Sequence, residues 1–142
     1  MIPRGGYLLD TNVISETRKS RADAGVIAFL SAAQSGGLYL SVLTLGELRR
    51  GVAAKRRTDS VAGDQLSLWV DGIEATFGDR LLPLDAQAAR LWGELSAVRS
   101  LPAVDTLIAA TAMRHDLTLV TRNIRDIEST GVRLIDPWRA NG

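Results

Sequence analysis

The sequence lacks cysteine entirely and has a single histidine, His115, among its 142 residues. Without cysteine, a disulfide framework and a thiolate zinc or iron–sulfur site are excluded. A Ser-His-Asp triad or a histidine-rich metal site would depend on one imidazole. Any metal site must therefore be built from carboxylates, whose oxygens favour hard cations such as Mg²⁺ or Mn²⁺.

Long apolar runs and an excess of charge are also missing. No window approaches the roughly 20 apolar residues of a membrane span, and the first residues have no apolar stretch of the length that a secretory signal needs. We therefore expect a cytoplasmic protein with no membrane partner. The net charge is only +1, from 17 basic and 16 acidic residues, so a uniformly basic coat for nucleic acid is excluded.

The composition is that of an ordinary globular domain, with 46% hydrophobic and 23% charged residues. A chain of this length can bury a substantial apolar core. No repeat, low-complexity segment or interdomain linker interrupts it. We therefore expect a single domain that spans residues 1–142.

Short apolar runs alternate with helical patterns along the whole chain, which is typical of a parallel sheet with helices on both faces. The pattern predicts an α/β, three-layer fold with a central, mostly parallel sheet of four to five strands flanked by helices. Strands are expected at 7–9, 38–40, 81–84, 117–120 and 132–135. Helices are expected at 11–16, at 22–34 before a stop at 36–37, from a cap at Ser41 or Thr44 towards 55, and at 59–77, 85–98 and 102–115, with a polar loop over 55–64.

Three acidic residues fall where the carboxyl edge of such a sheet would gather them. Asp10 ends the first strand, Glu47 lies early in the helix after the second strand, and Asp105 lies on the apolar face of a later helix. Ordinary structural roles are open to each: a helix N-cap for Asp10, a capping box with Thr44 for Glu47, and a favourable first-turn charge for Asp105. If the three converge, their mutual repulsion implies a divalent cation.

Further polar residues flank this predicted site. Asn123 and Asp126 follow the fourth strand and could complete it, although both are common in turns. Thr11 and Asn12 could bind a ligand or cap the first helix, with equal support. Contacts with RNA phosphate or with a protein partner are open to Arg49, Arg50 and Arg122, although the basic run that begins at Arg49 also suits a solvated helix end. Trp69 and Trp92 lie on apolar helix faces and are predicted to be core or interface residues.

Four segments stand out: LLDTNVISE at 8–16, TLGELRRG at 44–51, LPAVDTLIAATA at 101–112 and LTLVTRNIRD at 117–126. In order and spacing they resemble the PIN-domain ribonuclease toxins of the VapC type, and most closely the FitB-like branch. The resemblance implies a PIN fold and an Mg²⁺- or Mn²⁺-dependent endoribonuclease that cleaves RNA with a metal-activated water. It also implies a VapB-like antitoxin partner, a homodimer, and a larger complex with the antitoxin.

The resemblance also implies that Asp10, Glu47 and Asp105 match the three core acidic ligands of that family. A fourth acidic residue often follows the Thr-Arg pair of the last segment, and here that position is Asn123. Asp126, three residues later, could substitute for it. The departure at Asn123 leaves open a second hypothesis, that the chain is a catalytically weak, PIN-like RNA-binding or scaffolding module.

Overall fold

A single parallel β-sheet organises the protein. The structure is a computed structural model that describes residues 5–33 and 37–139. The described strands are β1 Tyr7–Leu9, β2 Leu38–Ser41, β3 Leu81–Leu82, β4 Thr118–Val120 and β5 Leu134–Ile135. They lie in the order β3-β2-β1-β4-β5, and every neighbouring pair is parallel. The predicted α/β fold is therefore confirmed.

Seven α-helices connect and cover the strands within the described residues. Asp10, Asp23, Ser41, Asp59 and Asp85 each begin a helix as an N-cap whose side chain accepts a hydrogen bond from a backbone amide of the first turn. The helices are α1 Thr11–Thr17, α2 Ala24–Ala32, α3 Val42–Thr58, α4 Ser60–Phe77, α5 Ala86–Val98, α6 Ala103–Arg114 and α7 Ile124–Ile127.

Neighbouring strand residues enter two different apolar cores. Leu9 and Leu40 belong to a core that also takes buried side chains from α1, α2, α3 and α4. Leu8 and Tyr39 belong to a second core, which includes buried residues of α6 and α7. Successive side chains of a strand point to opposite faces of the sheet, and a strand covered on both faces reads as a continuous apolar run. This arrangement explains why residues 7–9 and 38–40 are uninterrupted apolar runs, and it confirms the three layers.

The order of the strands reverses between β1 and β4, because the chain builds outward from β1 on one side and returns to its other side at β4. In open α/β sheets the ligand site lies beyond the carboxyl ends of the strands at such a reversal. Leu9 pairs with Val120 in register. The residues that follow them, Asp10 and Thr121, therefore emerge side by side at the point where a site is expected.

Some predicted boundaries are wrong. The polar loop predicted over 55–64 does not form, because α3 continues to Thr58 and α4 begins at Ser60, with Asp59 alone between them. The third strand ends at Leu82, since the proline that follows cannot donate a ladder hydrogen bond. Helix α7 was not predicted. The second helix, predicted over 22–34, is shorter and runs from Ala24 to Ala32, with Ala33 as its C-cap. Of the predicted end at residue 34 and the stop at 36–37, residues 34 and 36 lie outside the described residues.

Within residues 5–33 and 37–139, no helix combines the length and the apolar character needed to cross a bilayer.

Candidate active site

Asp10 is fixed by hydrogen bonds to both of its carboxylate oxygens. Its Oδ1 accepts a 2.8 Å bond from the Thr11 amide, which makes it the N-cap of α1. Its Oδ2 accepts a 2.7 Å bond from the Thr121 hydroxyl, and the Asn12 amide nitrogen lies 3.4 Å away. Burial raises the pKa of Asp10, and the bonds from Thr121 and the Thr11 amide oppose that rise. The capping role of Asp10 is confirmed, and it leaves Asp10 among the residues at the predicted site.

Glu47 points to the start of α1 and not to its own helix end. Ser41 caps α3 by accepting a 3.0 Å bond from the Leu43 amide, so the capping box with Thr44 is not formed. Glu47 Oε1 instead accepts a 2.5 Å hydrogen bond from the Thr11 hydroxyl, which lies 3.1 Å from the hydroxyl of buried Thr44. Thr11 thus joins Glu47 to the residue that directly follows Asp10.

Asp105 lies in the first turn of α6, and its side chain forms no hydrogen bond within the described part of the chain. Burial, followed by the negative charges of Asp10, Glu47 and Asp126, raises the pKa of Asp105 to about 6. Each of these three carboxylates must lie close enough to Asp105 to disfavour its charge. The four acidic side chains therefore share one region at the carboxyl edge of the sheet, which we name the acidic cluster.

The turn after β4 contributes a neutral side chain and an acidic one. The backbone amide of Asn123 donates a 3.1 Å bond to the Thr121 hydroxyl, whereas its side chain is exposed and without a hydrogen bond in the described structure. Asp126 is also exposed and is one of the charges that act on Asp105. Arg122 stacks its guanidinium over Trp138, 4.9 Å from the ring centroid. Asp126 therefore adds negative charge near the cluster, whereas Asn123 adds none.

The donor set of the acidic cluster suits a hard divalent cation. Its oxygens come from carboxylates and threonine hydroxyls, and like-charge repulsion of the kind acting on Asp105 is relieved when a cation is bound. The buried Oδ1 of Asn12, beside Asp10, has no hydrogen-bond partner among the described residues. However, no three of the described acidic or histidine side chains are placed to hold an ion together. The bond between Glu47 and Thr11 is consistent with this, because it turns one carboxylate towards a hydroxyl.

The two arginines of α3 that were considered for RNA or partner contacts, Arg49 and Arg50, form no hydrogen bond or ion pair with the acidic cluster in the described structure. Arg49 donates to Asp71 and to the Ser67 hydroxyl, the latter at 3.0 Å, and therefore faces α4. Arg50 is exposed and has no ion pair within the described ranges. The structure thus supports a solvated helix end with a bridge to α4 for this run, and it leaves Arg50 accessible.

Two buried threonines organise the acidic side chains and were not predicted to do so. Thr121 contacts Asp10, Asn12 and the Asn123 amide, and Thr44 contacts Thr11. The sequence does show that Thr121 comes directly after β4, just as Asp10 comes directly after β1. Only the register that pairs the two strands shows that these two residues are neighbours.

Comparison with known proteins gives consistent results. A family model described as PIN domain matches residues 7–131. VapC ribonuclease Y4jK of Sinorhizobium fredii is 35% identical over 140 residues, which cover 92% of this chain and 96% of the relative. Toxin FitB of Neisseria gonorrhoeae is 33% identical over 138 residues, covering 92% and 97% of the two chains.

Solved structures agree with the sequence relatives. A chain in the crystal structure of FitAcB from Neisseria gonorrhoeae has a TM-score of 0.86 at 32% identity and covers 94% of this chain and 99% of its own. A chain of the DNA-bound VapBC structure from Salmonella typhimurium has a TM-score of 0.72 at 26% identity, with 94% and 98% covered.

Proposed function

Because the chain belongs to the PIN-domain family, we propose that it is the ribonuclease toxin of a type II toxin–antitoxin pair. The reaction is hydrolysis of an RNA phosphodiester bond, which makes the protein a metal-dependent endoribonuclease. The whole chain acts as one domain, in the cytoplasm. The relatives named VapC ribonuclease and toxin FitB, each similar along more than nine tenths of this chain, support the proposal.

The observation that carries this proposal is the gathering of acidic side chains at the carboxyl edge of the sheet, where Thr11 joins Asp10 to Glu47. Burial, followed by the negative charges of Asp10, Glu47 and Asp126, raises the pKa of Asp105. Four acidic groups at one sheet edge are electrostatically unfavourable unless a positive charge joins them. Such a cluster is poorly suited to bind RNA alone, because phosphate carries the same charge. It is well suited to hold a cation between protein and phosphate.

We assign Mg²⁺ or Mn²⁺ to this cluster, with Asp10 and Asp105 as the direct ligands and Glu47 acting directly or through water. When bound, such an ion supplies water activation and stabilisation of charge on the phosphate. Thr121 and the Thr11 amide hold Asp10 in its orientation, and the Thr11 hydroxyl holds Glu47.

Cleavage of a pooled RNA by the purified protein tests the function. We expect cleavage with Mg²⁺ or Mn²⁺, none with EDTA, and at least a hundredfold loss in Asp10→Asn and in Asp105→Asn, because each loses a charged ligand. Both changes keep the shape of the side chain. Thermal unfolding of the two variants controls for folding, which should be preserved because like-charge repulsion is removed.

The same experiment separates the nuclease from a catalytically weak RNA-binding or scaffolding module. The neutral Asn123 at the fourth position, exposed and without a side-chain hydrogen bond in the described structure, is the feature that favours such a module. A module of that kind would retain RNA binding in Asp10→Asn without cleavage in any variant. Cleavage that survives EDTA and both substitutions would contradict the metal-dependent mechanism.

We also propose a VapB-like antitoxin as partner and a homodimer that enters a larger complex with it. Solved relatives whose names join toxin and antitoxin, such as FitAcB and VapBC, support a partner of this kind. A basic side chain from the antitoxin tail would complement the acidic cluster. Co-expression with a full-length and a tail-truncated antitoxin tests this, and a tail dispensable for both binding and inhibition would refute it.

A further inference from the structure

A cavity of about 300 Å³ opens next to the acidic cluster and is not used by the proposed chemistry. Its lining includes Thr11 and Glu47, which belong to the site, and it extends from them between α1, α3 and α4. A molecule held in this cavity would therefore be in contact with the residues beside the reacting phosphate.

The walls of the cavity combine an aromatic and apolar interior with cations at its mouth. Leu48, Leu66 and Trp69 supply the apolar surface, and Trp69 packs against the core with only part of its surface. Lys19 is paired with Glu16 at 2.8 Å, whereas exposed Arg18 has no ion pair among the residues described. The cavity thus offers a flat aromatic ring inside and a free guanidinium outside.

We propose that this cavity binds an unpaired nucleobase of the RNA, from a nucleotide next to the cleaved bond. The base packs on the Trp69 indole and Arg18 contacts an adjoining phosphate. This inference rests on the proposed ribonuclease function and adds to it a subsite for one unpaired base beside the cleaved bond. Proteins commonly read such RNA by stacking its bases on aromatic side chains. Trp69, predicted to be a core or interface residue, thus also serves as the surface on which the base stacks.

The surroundings favour a nucleotide over a purely apolar group. An apolar peptide side chain would fill the interior but leave the cation at the mouth unused, whereas a nucleotide carries both an aromatic base and a negative phosphate. A base-paired duplex is disfavoured, since its bases are stacked inside the helix and could not enter a cavity.

Gly51 provides a way to fill the cavity without disturbing the fold. It lines the cavity, and a Cβ built on it would meet no atom within 4 Å. Gly51→Leu should therefore occupy the space intended for the base. Gly72 on α4 is a matched control, because it is also helical, exposed and open around its Cβ but does not line the cavity.

The experiment compares three RNA oligonucleotides that share one cleavage site mapped with the wild-type protein. One is intact, and the other two each carry an abasic ribose on one side of the cut. We expect the wild type to cleave the intact RNA roughly tenfold or more faster than one of the abasic forms, which is the size of a lost stacked base. That rate ratio should fall to about one in Trp69→Leu and in Gly51→Leu. It should be kept in Trp69→Tyr and in Gly72→Leu.

The ratio of the cleavage rates of intact and abasic RNA distinguishes a base contact of Trp69 from a merely structural role of that residue. A structural defect in Trp69→Leu would slow cleavage of all three RNAs and leave the ratio unchanged, which would overturn the inference. Wild-type ratios near one at both positions would overturn it while leaving the ribonuclease function intact. Loss of antitoxin binding in Gly51→Leu with an unchanged ratio would assign the cavity to the antitoxin instead. Absence of any cleavage by the wild type would overturn the proposed function and this inference together.

Discussion

The Thr121 hydroxyl donates a 2.7 Å hydrogen bond to Asp10 Oδ2 across the junction of two neighbouring parallel strands. The two residues follow β1 and β4 at paired register positions, so the bond links the two sides of the point where the strand order reverses. Thr121 is fully buried and Asp10 is 4% exposed. A buried carboxylate without this donor would be harder to keep charged.

Thr121→Val should therefore weaken metal binding by Asp10. The valine keeps the shape of threonine but removes the donor, so the pKa of Asp10 should rise further and its charged form become less available. Loss of a hydrogen bond to a charged group is worth about 1.5–3 kcal/mol, which corresponds to roughly a tenfold to a hundredfold loss of Mn²⁺ affinity. Titration calorimetry of the metal-free protein at pH 7 measures it.

Thr111→Val is the matched control for this prediction. Thr111 is equally buried, but its hydroxyl donates only to the Leu107 carbonyl within α6. The control should lose some stability and leave Mn²⁺ affinity unchanged, and Thr121→Ser should keep most of the affinity. Equal affinity losses in both valine variants would mean that Thr121 acts through packing alone.

Asp105 makes the stability of the metal-free protein depend on pH. Its pKa is raised from 3.8 to about 6 in the folded protein, so the folded state holds more protons than the unfolded state between those values. Its charge therefore costs no stability below about pH 4, and the cost is complete above about pH 6. We expect Asp105→Asn to raise the melting temperature at pH 7.5 in EDTA and to lose that advantage at pH 4.

A bound metal ion should reverse the preference of Asp105 for its protonated form. A bound cation favours the charged carboxylate, so Mn²⁺ affinity of the wild type should fall as the pH drops from 7 to 5. For the melting experiment, Asp64→Asn is the control, because it removes an exposed carboxylate that pairs with Arg56 and is not among the charges acting on Asp105. Its effect on the melting temperature should not follow the pH dependence expected for Asp105→Asn. A melting advantage of Asp105→Asn that is the same at pH 4 and pH 7.5 would contradict the charge repulsion.

The elements of the fold could be predicted because local patterns determine them. The strands are short, mainly apolar runs. β1 is followed directly by the capping residue Asp10, and β2 ends at the capping residue Ser41. Each long helix has an apolar face. The junction between α3 and α4 could not be predicted in this way. Its polar residues are typical of a loop, yet tertiary packing of the two helices holds them helical up to Thr58 and again from Ser60.

The same distinction between local patterns and long-range contacts applies to the residues of the candidate site. Asp10, Glu47 and Asp105 could be nominated, because each sits in an element whose start lies at the carboxyl edge of the sheet. The partners that orient them could not, since the bonds from Thr11 to Glu47 and from Thr121 to Asp10 join residues 36 and 111 positions apart. Such contacts depend on strand order and register, which no local pattern contains.

The close junction of α3 and α4 gives a prediction about stability. A Cβ on Gly63 would lie 2.4 Å from Arg56 Cγ and 2.9 Å from Arg56 Cα, so a side chain cannot fit without moving the helix backbone. Gly63→Ala should therefore destabilise the protein by about 1–3 kcal/mol in urea unfolding, as expected for overpacking. Gly72→Ala, with open space around it, should instead stabilise α4 by up to about 1 kcal/mol. A stabilising Gly63→Ala would show that the helices can separate freely.

The fourth position of the acidic cluster is open to a direct test, because Asn123 can offer an oxygen but no charge. With Asp10, Glu47 and Asp105 as the core, we expect the free protein to bind one Mn²⁺ strongly and a second only with RNA.

Asn123→Asp should tighten Mn²⁺ binding roughly tenfold, since affinity for hard cations rises with ligand charge. The exposed side chain of Asn123 has no hydrogen bond to lose within the described structure, so the change adds charge without altering packing. Asp126→Ala should lower cleavage more than it lowers the melting temperature, because Asp126 is exposed and acts on the site through its charge. Gln87→Glu on the exposed side of α5 adds the same charge elsewhere and should leave affinity unchanged. Two equally tight ions in the wild type, or no response to Asn123→Asp in calorimetry, would place the fourth ligand elsewhere.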